Sequence, residues 1–159
     1  MDPDPATGQY PLHFSVQIAL SAEHIPSRQQ WRAWAAKSLL GPVNAVLRIV
    51  DEDEGLSLNH QFRQRDYATN VLTFPYGEDE QGALCGDIAL CWPVVLREAS
   101  AQDKTLQAHC AHMLVHGMLH LQGLDHLEAH EAAEMESLEI RILSELGFPD
   151  PYIVHHQGS

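Results

Sequence analysis

The sequence predicts an α+β domain with one small sheet, and three observations carry that expectation. Short segments with period-two or β-branched apolar patterning are confined to residues 12–91. The two strongest helical patterns follow them, from residue 104 to residue 146. The segments also lack a regular strand–helix–strand alternation, which argues against a parallel α/β fold.

Residues 1–11 are rich in Pro and Gly and read as a loose tail. Leu12, Phe14, Val16, Ile18 and Leu20 then share one face of a first strand. Pro26-Ser27 opens a helix with Trp31, Trp34, Ala35 and Leu39 on one stripe, stopped at Gly41-Pro42. Val43 to Val50 reads as a second strand on its aliphatic and β-branched content. Gly55 to Arg65 reads as a short helix and a loop. Thr69 to Phe74 is a third strand, ended by Pro75 and a Gly-containing acidic loop. Ala83 to Cys91 is the fourth. Pro93 starts a helix to about Gln102. Lys104 to Leu121 is the strongest helical segment and Gly123 ends it; a last amphipathic helix runs from about Leu127 to Leu146 and closes at Gly147.

A chain of 159 residues fits one domain and buries roughly two-thirds of its unfolded surface, so it folds without staples. No apolar run approaches the ~20 residues that cross a bilayer, and the N-terminus lacks the pattern of a secretory signal. The expected location is the cytoplasm, with no membrane partner. Cys85, Cys91 and Cys110 are an odd set with no CxxC pair, which argues for reduced structural thiols. The net charge of −13 argues against a general nucleic-acid binder, because phosphate contacts come from Lys and Arg. Acid is concentrated at Asp51 to Glu54, Glu78 to Glu80 and Glu128 to Glu139, and Arg63 and Arg65 lie outside those clusters.

Of the 11 histidines, those at 109, 112, 116, 120, 126 and 130 crowd into one short segment. On a helix turning about 100° per residue, His109, His112, His116 and His120 form one stripe. The pairs His112/His116 and His116/His120 both have the i, i+4 spacing that lets two imidazoles approach one metal. One ion cannot take all of His112, His116 and His120, because the outer two are ~12 Å apart along the axis. Gly123 can take the left-handed conformation that turns the chain and brings His126 back toward His116 and His120. Three nitrogens with an open fourth position make a catalytic zinc site at the end of a long helix. His109 and His112 are expected to pack, to support the ligands or to meet substrate, and His130 to lie on the surface. Asp125, beside a ligand, could orient an imidazole, tune zinc-bound water or cap the next helix.

The spacing H-x3-H-x2-G-x2-H is also that of metzincin proteases. Those enzymes carry a general-base glutamate directly after the first histidine, and Gly117 stands there in this chain. The usual peptidase proton acceptor is missing.

His116-Gly-Met-Leu-His120-Leu-Gln-Gly-Leu-Asp125-His126 resembles the H-G-x-L-H-L-x-G-x-D-H signature of the YbeY family, bacterial endoribonucleases also known as rRNA maturation factors. Leu58-Asn59 through Arg63, Asp66 and Thr69-Asn70-Val71-Leu72 to Phe74-Pro75 resembles a second block of that family, with Thr73 where serine is frequent. Gly86-Asp87-Ile88 and the ending at Leu146-Gly147 to Asp150-Pro151-Tyr152 also match, so the similarity spans residues 12–152 and leaves 153–159 as a tail. The resemblance implies a single small α+β domain, with a mainly four-stranded sheet packed with helices. It implies a zinc-dependent, single-strand-specific endoribonuclease with one Zn2+ per chain, held by His116, His120 and His126. Its role would be 16S rRNA 3′-end maturation and quality control of defective ribosomes. The partners would be single-stranded rRNA and the small ribosomal subunit or its proteins, not DNA. Arg63 matches an arginine held essential in the family. Its planar fork suits the non-bridging oxygens of a phosphodiester transition state. Asn59, Asp66, Thr69 and Asn70 are expected to hold that loop by turn-type hydrogen bonds. Asp125 and His112 are the candidates for a supporting or general-base role, and the nucleophile is either water or the ribose 2′-OH. Two other classes compete: a zinc peptidase lacking its glutamate, and a non-catalytic ribosome-assembly factor with structural zinc. The acidic charge implies weak intrinsic RNA affinity, with substrate delivered by ribosome or protein contacts.

Overall fold

The computed structural model describes residues 9–63, 69–124 and 128–153, and of residues 62 and 63 the backbone alone. The elements follow the order β1 (Leu12–Ile18), α1 (Arg28–Lys37), β2 (Val43–Val50), α2 (Glu52–Arg63), β3 (Val71–Glu78), β4 (Leu84–Cys91), α3 (Trp92–Ala101), α4 (Leu106–Leu121) and α5 (Ala129–Glu145). The four strands lie in the order β1-β2-β4-β3. The α+β class and the four-stranded sheet agree with the sequence. The pairing is mixed: β1 and β2 are parallel, β2 and β4 are parallel, and β3 runs antiparallel to β4. Parallel neighbours need a long crossover, which α1 supplies between β1 and β2 and α2 with β3 supplies between β2 and β4. The first third of the chain therefore holds one strand–helix–strand unit, without the regular alternation of a parallel α/β fold.

Two boundaries also differ. β3 does not stop at Pro75 but runs on to Glu78, with a register shift between Pro75 and Gly77. It is an edge strand, where a missing N–H need break no ladder bond, and the bulge absorbs the extra residue. Helix α2 starts at Glu52 rather than Gly55 because Asp51 caps it, its Oδ1 accepting from the Glu54 amide at 2.8 Å. The start of α1 is as predicted, with Ser27 and Gln30 forming a reciprocal capping box.

The core lies on one face of the sheet. Val43, Ala45, Leu47 and Ile49 of β2 and Ile88 and Leu90 of β4 pack against Trp31 and Trp34 of α1 and Leu114 and Met118 of α4. Full burial of each large apolar side chain contributes about 1.5–3 kcal/mol. Helix α4 is central to this core, touching α1, α3, α5, β3 and β4. Two glycines set its distance from the sheet. A Cβ on Gly117 would lie 3.1 Å from Ile88 Cγ2 and 3.3 Å from Val71 Cγ2. A Cβ on Gly86 would collide with the Leu121 side chain and lie 2.8 Å from the Phe74 carbonyl oxygen. Close approach at these points fixes where the far face of α4 presents its histidines. Among the described residues, no helix is long and apolar enough to cross a membrane.

Candidate metal centre

The histidine stripe lies on α4, which Thr105 caps by accepting from the Ala108 amide at 3.1 Å. At its other end Gly123 adopts φ +104°, as expected for a left-handed stop. The Leu124 amide donates to the Leu119 carbonyl at 3.1 Å and the Gly123 amide to the His120 carbonyl at 3.0 Å, a Schellman closure. That turn presents the Leu124 carbonyl oxygen to His120 Nδ1 at 3.0 Å. The His116 and His120 rings are nearly parallel, with 3° between their planes and centroids 6.4 Å apart.

The acceptors decide the tautomers. A carbonyl oxygen can only accept, so His120 Nδ1 carries a proton and its lone pair in the neutral ring is on Nε2. His116 Nδ1 lies 3.2 Å from Glu139 Oε1, and an ionised carboxylate forces the same assignment. Two nearly parallel imidazoles at i, i+4, each with its lone pair on Nε2, are the donor type that zinc takes from histidine.

Glu139 is the residue that the sequence analysis missed. Its side chain is 1% exposed, and its carboxylate receives His112 Nε2 at 2.7 Å, His116 Nδ1 at 3.2 Å and the Tyr152 hydroxyl at 2.9 Å. Burial opposes its ionisation. The hydrogen bonds and charges of His112 and His116 outweigh that cost and hold its pKa at about 2. Burial, Glu139 and other nearby carboxylates push the Tyr152 phenol well above its ordinary value, so it remains a donor. Among the described residues no Lys or Arg bonds this buried carboxylate; its partners are two imidazoles and a phenol. The His116 and His120 imidazoles are donors that fit a divalent ion. A signal was present in the sequence: Glu139 occupies the same stripe as buried Met135, Ile142 and Leu143 of α5, where a solvated acid does not belong.

The other end of the stripe is closed. His109 is 1% exposed, and its Nε2 meets Glu98 Oε1 at 3.0 Å. Asn70 Nδ2 donates to both oxygens of the same carboxylate, at 3.1 and 3.2 Å, which ties β3 to α3. Burial lowers the His109 pKa more than Glu98 raises it, so the neutral ring donates. Nδ1 of both His109 and His112 is buried with no partner among the described residues. With Nε2 of the neutral His109 ring as the donor, its Nδ1 is a lone pair rather than a stranded N–H group. Asn70, Glu98, Lys104, His109, His112 and Tyr152 wall a cavity of about 700 Å³ beside the stripe. Cys110, one position after His109, is fully buried in the core, which pushes its thiol up to about 12.

The structure sets His116 beside His120, and joins His112 to His116 through the Glu139 carboxylate that those two share. Arg63 is the final residue of α2, and its side chain lies outside the described residues, as do Asp66, Asp125 and His126. Among the described residues no three His, Cys, Asp or Glu side chains gather as a metal requires. His130 is exposed, as expected.

The chain has extensive relatives. It is 50% identical over 155 residues to the protein from Aromatoleum aromaticum named Endoribonuclease YbeY, covering 96% of this chain and 99% of that one. It is 51% identical over 140 residues to the protein of that name from Nitrosomonas eutropha, covering 88% and 98%. Among solved structures, the solution structure of TM1509 from Thermotoga maritima matches with a TM-score of 0.55 and 29% identity, over 82% of this chain and 88% of the other. The family model described as Endoribonuclease YbeY matches residues 19–147, and with half of all aligned positions identical across whole relatives, the chain belongs to the endoribonuclease YbeY family.

Proposed function

We propose that this chain is a zinc-dependent, single-strand-specific endoribonuclease of the cytoplasm, acting in 16S rRNA 3′-end processing, ribosome maturation and ribosome quality control. Family membership supports an RNA-cleaving hydrolase. The observation that supports the metal is the parallel pair His116 and His120, each with Nδ1 held by a group that can only accept. His126, after the Gly123 turn, completes a set for one Zn2+ per chain. When bound, zinc supplies Lewis acidity toward a phosphoryl oxygen and an attacking oxygen.

The chain's own residues supply the rest. Arg63 pairs with the non-bridging phosphate oxygens as charge develops on them. Of the two base candidates, His112 has Nε2 bonded to Glu139 and Nδ1 buried, which favours Asp125. The peptidase alternative loses ground at Gly117. That position faces Ile88 and Val71 on the sheet, and a glutamate there would have to displace the helix. With a net charge of −13, RNA affinity comes from presentation by the small ribosomal subunit or its proteins rather than from a basic surface.

The test compares wild type, Arg63→Ala and His116→Ala on single-stranded RNA, beside metal analysis of each. Wild type should cut; Arg63→Ala should keep its zinc and lose cleavage; His116→Ala should lose both and exposes contaminating nucleases. Equal cleavage by all three overturns the proposal. Peptide hydrolysis without RNA cleavage supports the peptidase. A wild type that cuts nothing, with His120→Ala unfolding, supports a structural zinc.

A further inference from the structure

We infer that Glu139 is the positioning residue of the metal centre, setting the ring plane and tautomer of His116 through Nδ1 while Tyr152 and His112 hold the carboxylate itself. The inference rests on His116 being a zinc ligand, as proposed above. Its geometric basis is a division of work between the two carboxylate oxygens. Oε2 takes His112 Nε2 at 2.7 Å and the Tyr152 hydroxyl at 2.9 Å, which anchors it from α4 and from the C-terminal segment. Oε1 is thereby aimed at His116 Nδ1, at 3.2 Å. The longer distance falls on the ligand side, where ring orientation would settle around an ion.

The energetics point the same way. Glu139 sits at 1% exposure among Met135, Ile142 and Leu143 of the apolar stripe of α5. Replacing a buried charge together with its partners by well-packed apolar side chains is often neutral or stabilising, whereas removing the charge alone strands those partners. Stability by itself therefore does not call for a carboxylate at this position. What a leucine cannot do is accept the Nδ1 proton of a ligating imidazole, which fixes the ring and raises its basicity toward the ion.

The two predicted ligands on α4 are held by different means. His120 is oriented by the Leu124 backbone carbonyl, a partner that no side-chain substitution removes. His116 is oriented by a side chain from a helix more than twenty positions away. Substituting Glu139 should accordingly disturb one ligand and spare the other, which a general loosening of the fold would not do.

The experiment uses full-length Glu139→Gln and Tyr152→Phe beside wild type. Zinc affinity is read by competition with a chromogenic chelator, and the His116 and His120 tautomers by ring 15N NMR on the zinc-free proteins, with thermal melting as the control on folding. Glu139→Gln should bind zinc about 10–100-fold more weakly. Its His116 ring should lose the uniform Nδ1–H signature while His120 keeps it. Tyr152→Phe should shift affinity in the same direction by less, and it decides the matter if Glu139→Gln does not fold. A folded Glu139→Gln with wild-type affinity and an unaltered His116 tautomer overturns the inference, as does an equal change at both histidines. A wild type that binds no zinc overturns the metal proposal itself, an outcome distinct from failure of the Glu139 role alone.

Discussion

At the N-terminal end of α4, His109 and His112 are buried and bond through Nε2 to carboxylates carried by other helices, Glu98 of α3 and Glu139 of α5. At the C-terminal end, His116 and His120 are only partly buried, and it is Nδ1 that is tied down, to Glu139 and to the Leu124 carbonyl. The four residues share one face of one helix, so their type and mutual spacing do not separate them, and in the sequence only Gly123 and His126 beyond it point to the C-terminal pair. The nitrogen that is held separates them. A ring held at Nδ1 has its lone pair on Nε2, the atom farther from the backbone; a ring held at Nε2 has that atom committed and its Nδ1 buried. The carboxylates at one end are structural braces, and the shared one, Glu139, is where the brace meets the site.

The largest expected effect breaks this division or secures it. His116→Ala and His120→Ala should each abolish stoichiometric zinc, whereas His109→Ala should keep it and cost about 1–3 kcal/mol of stability by leaving Glu98 short of a donor. Metal analysis and denaturant midpoints on the three variants decide it. Zinc lost as completely from His109→Ala as from His116→Ala would mean that the two ends are one site.

Next in size is Gly117→Glu. Its Cβ alone would press on Ile88 and Val71, and the carboxylate would be driven into the apolar layer between α4 and the sheet. The variant should lose several kcal/mol in urea unfolding and gain no peptidase activity. A stable Gly117→Glu protein would show that this face has room, and the argument against a peptidase would weaken with it.

A third effect separates the ends by pH. The His109 pKa is lowered in the fold because burial outweighs the opposing hydrogen bond and charge of Glu98, with His112 and Lys104 also lowering it. The unfolded chain therefore takes up the proton first, near its ordinary value of about 6.5. The contribution to stability is complete above that value and is lost as pH falls below it, down to the depressed folded pKa. Urea midpoints of zinc-free protein should thus drop between pH 7 and about 5.5, and less so in His109→Gln. An equal drop in both proteins would remove His109 as the cause.

Much of this was legible in the sequence because it is local. The stripe on α4, the Gly123 stop, the Ser27 cap and the four strands each follow from spacing within a single element. What was not legible depends on distant partners. The Glu139 bond to His116 joins α5 to α4, and the Tyr152 bond joins the C-terminal segment to both. A run of glutamates from residue 128 to residue 139 looks like a solvated face until the stripe of Met135, Ile142 and Leu143 is laid over it. Pro75 misled for a similar reason. Whether a proline ends a strand depends on whether the strand lies at the edge, and only the sheet order decides that.

The smallest expected effect tests the comparison one residue from the stripe. Cys110 follows His109 but faces the core, and burial pushes its thiol up to about 12, leaving almost no thiolate at neutral pH. Cys91 is likewise buried and its thiol raised, whereas Cys85 on β4 is only partly covered. Under native conditions an alkylating reagent should label Cys85 first and Cys110 last, as followed by mass spectrometry, with all three labelled in denaturant. Chelating the metal should leave that order unchanged, because the braces on His109 and His112 come from Glu98 and Glu139 rather than from the ion. If chelation opens Cys110 to reagent, the buried end of α4 depends on zinc for its packing, and the two ends of the helix are not independent.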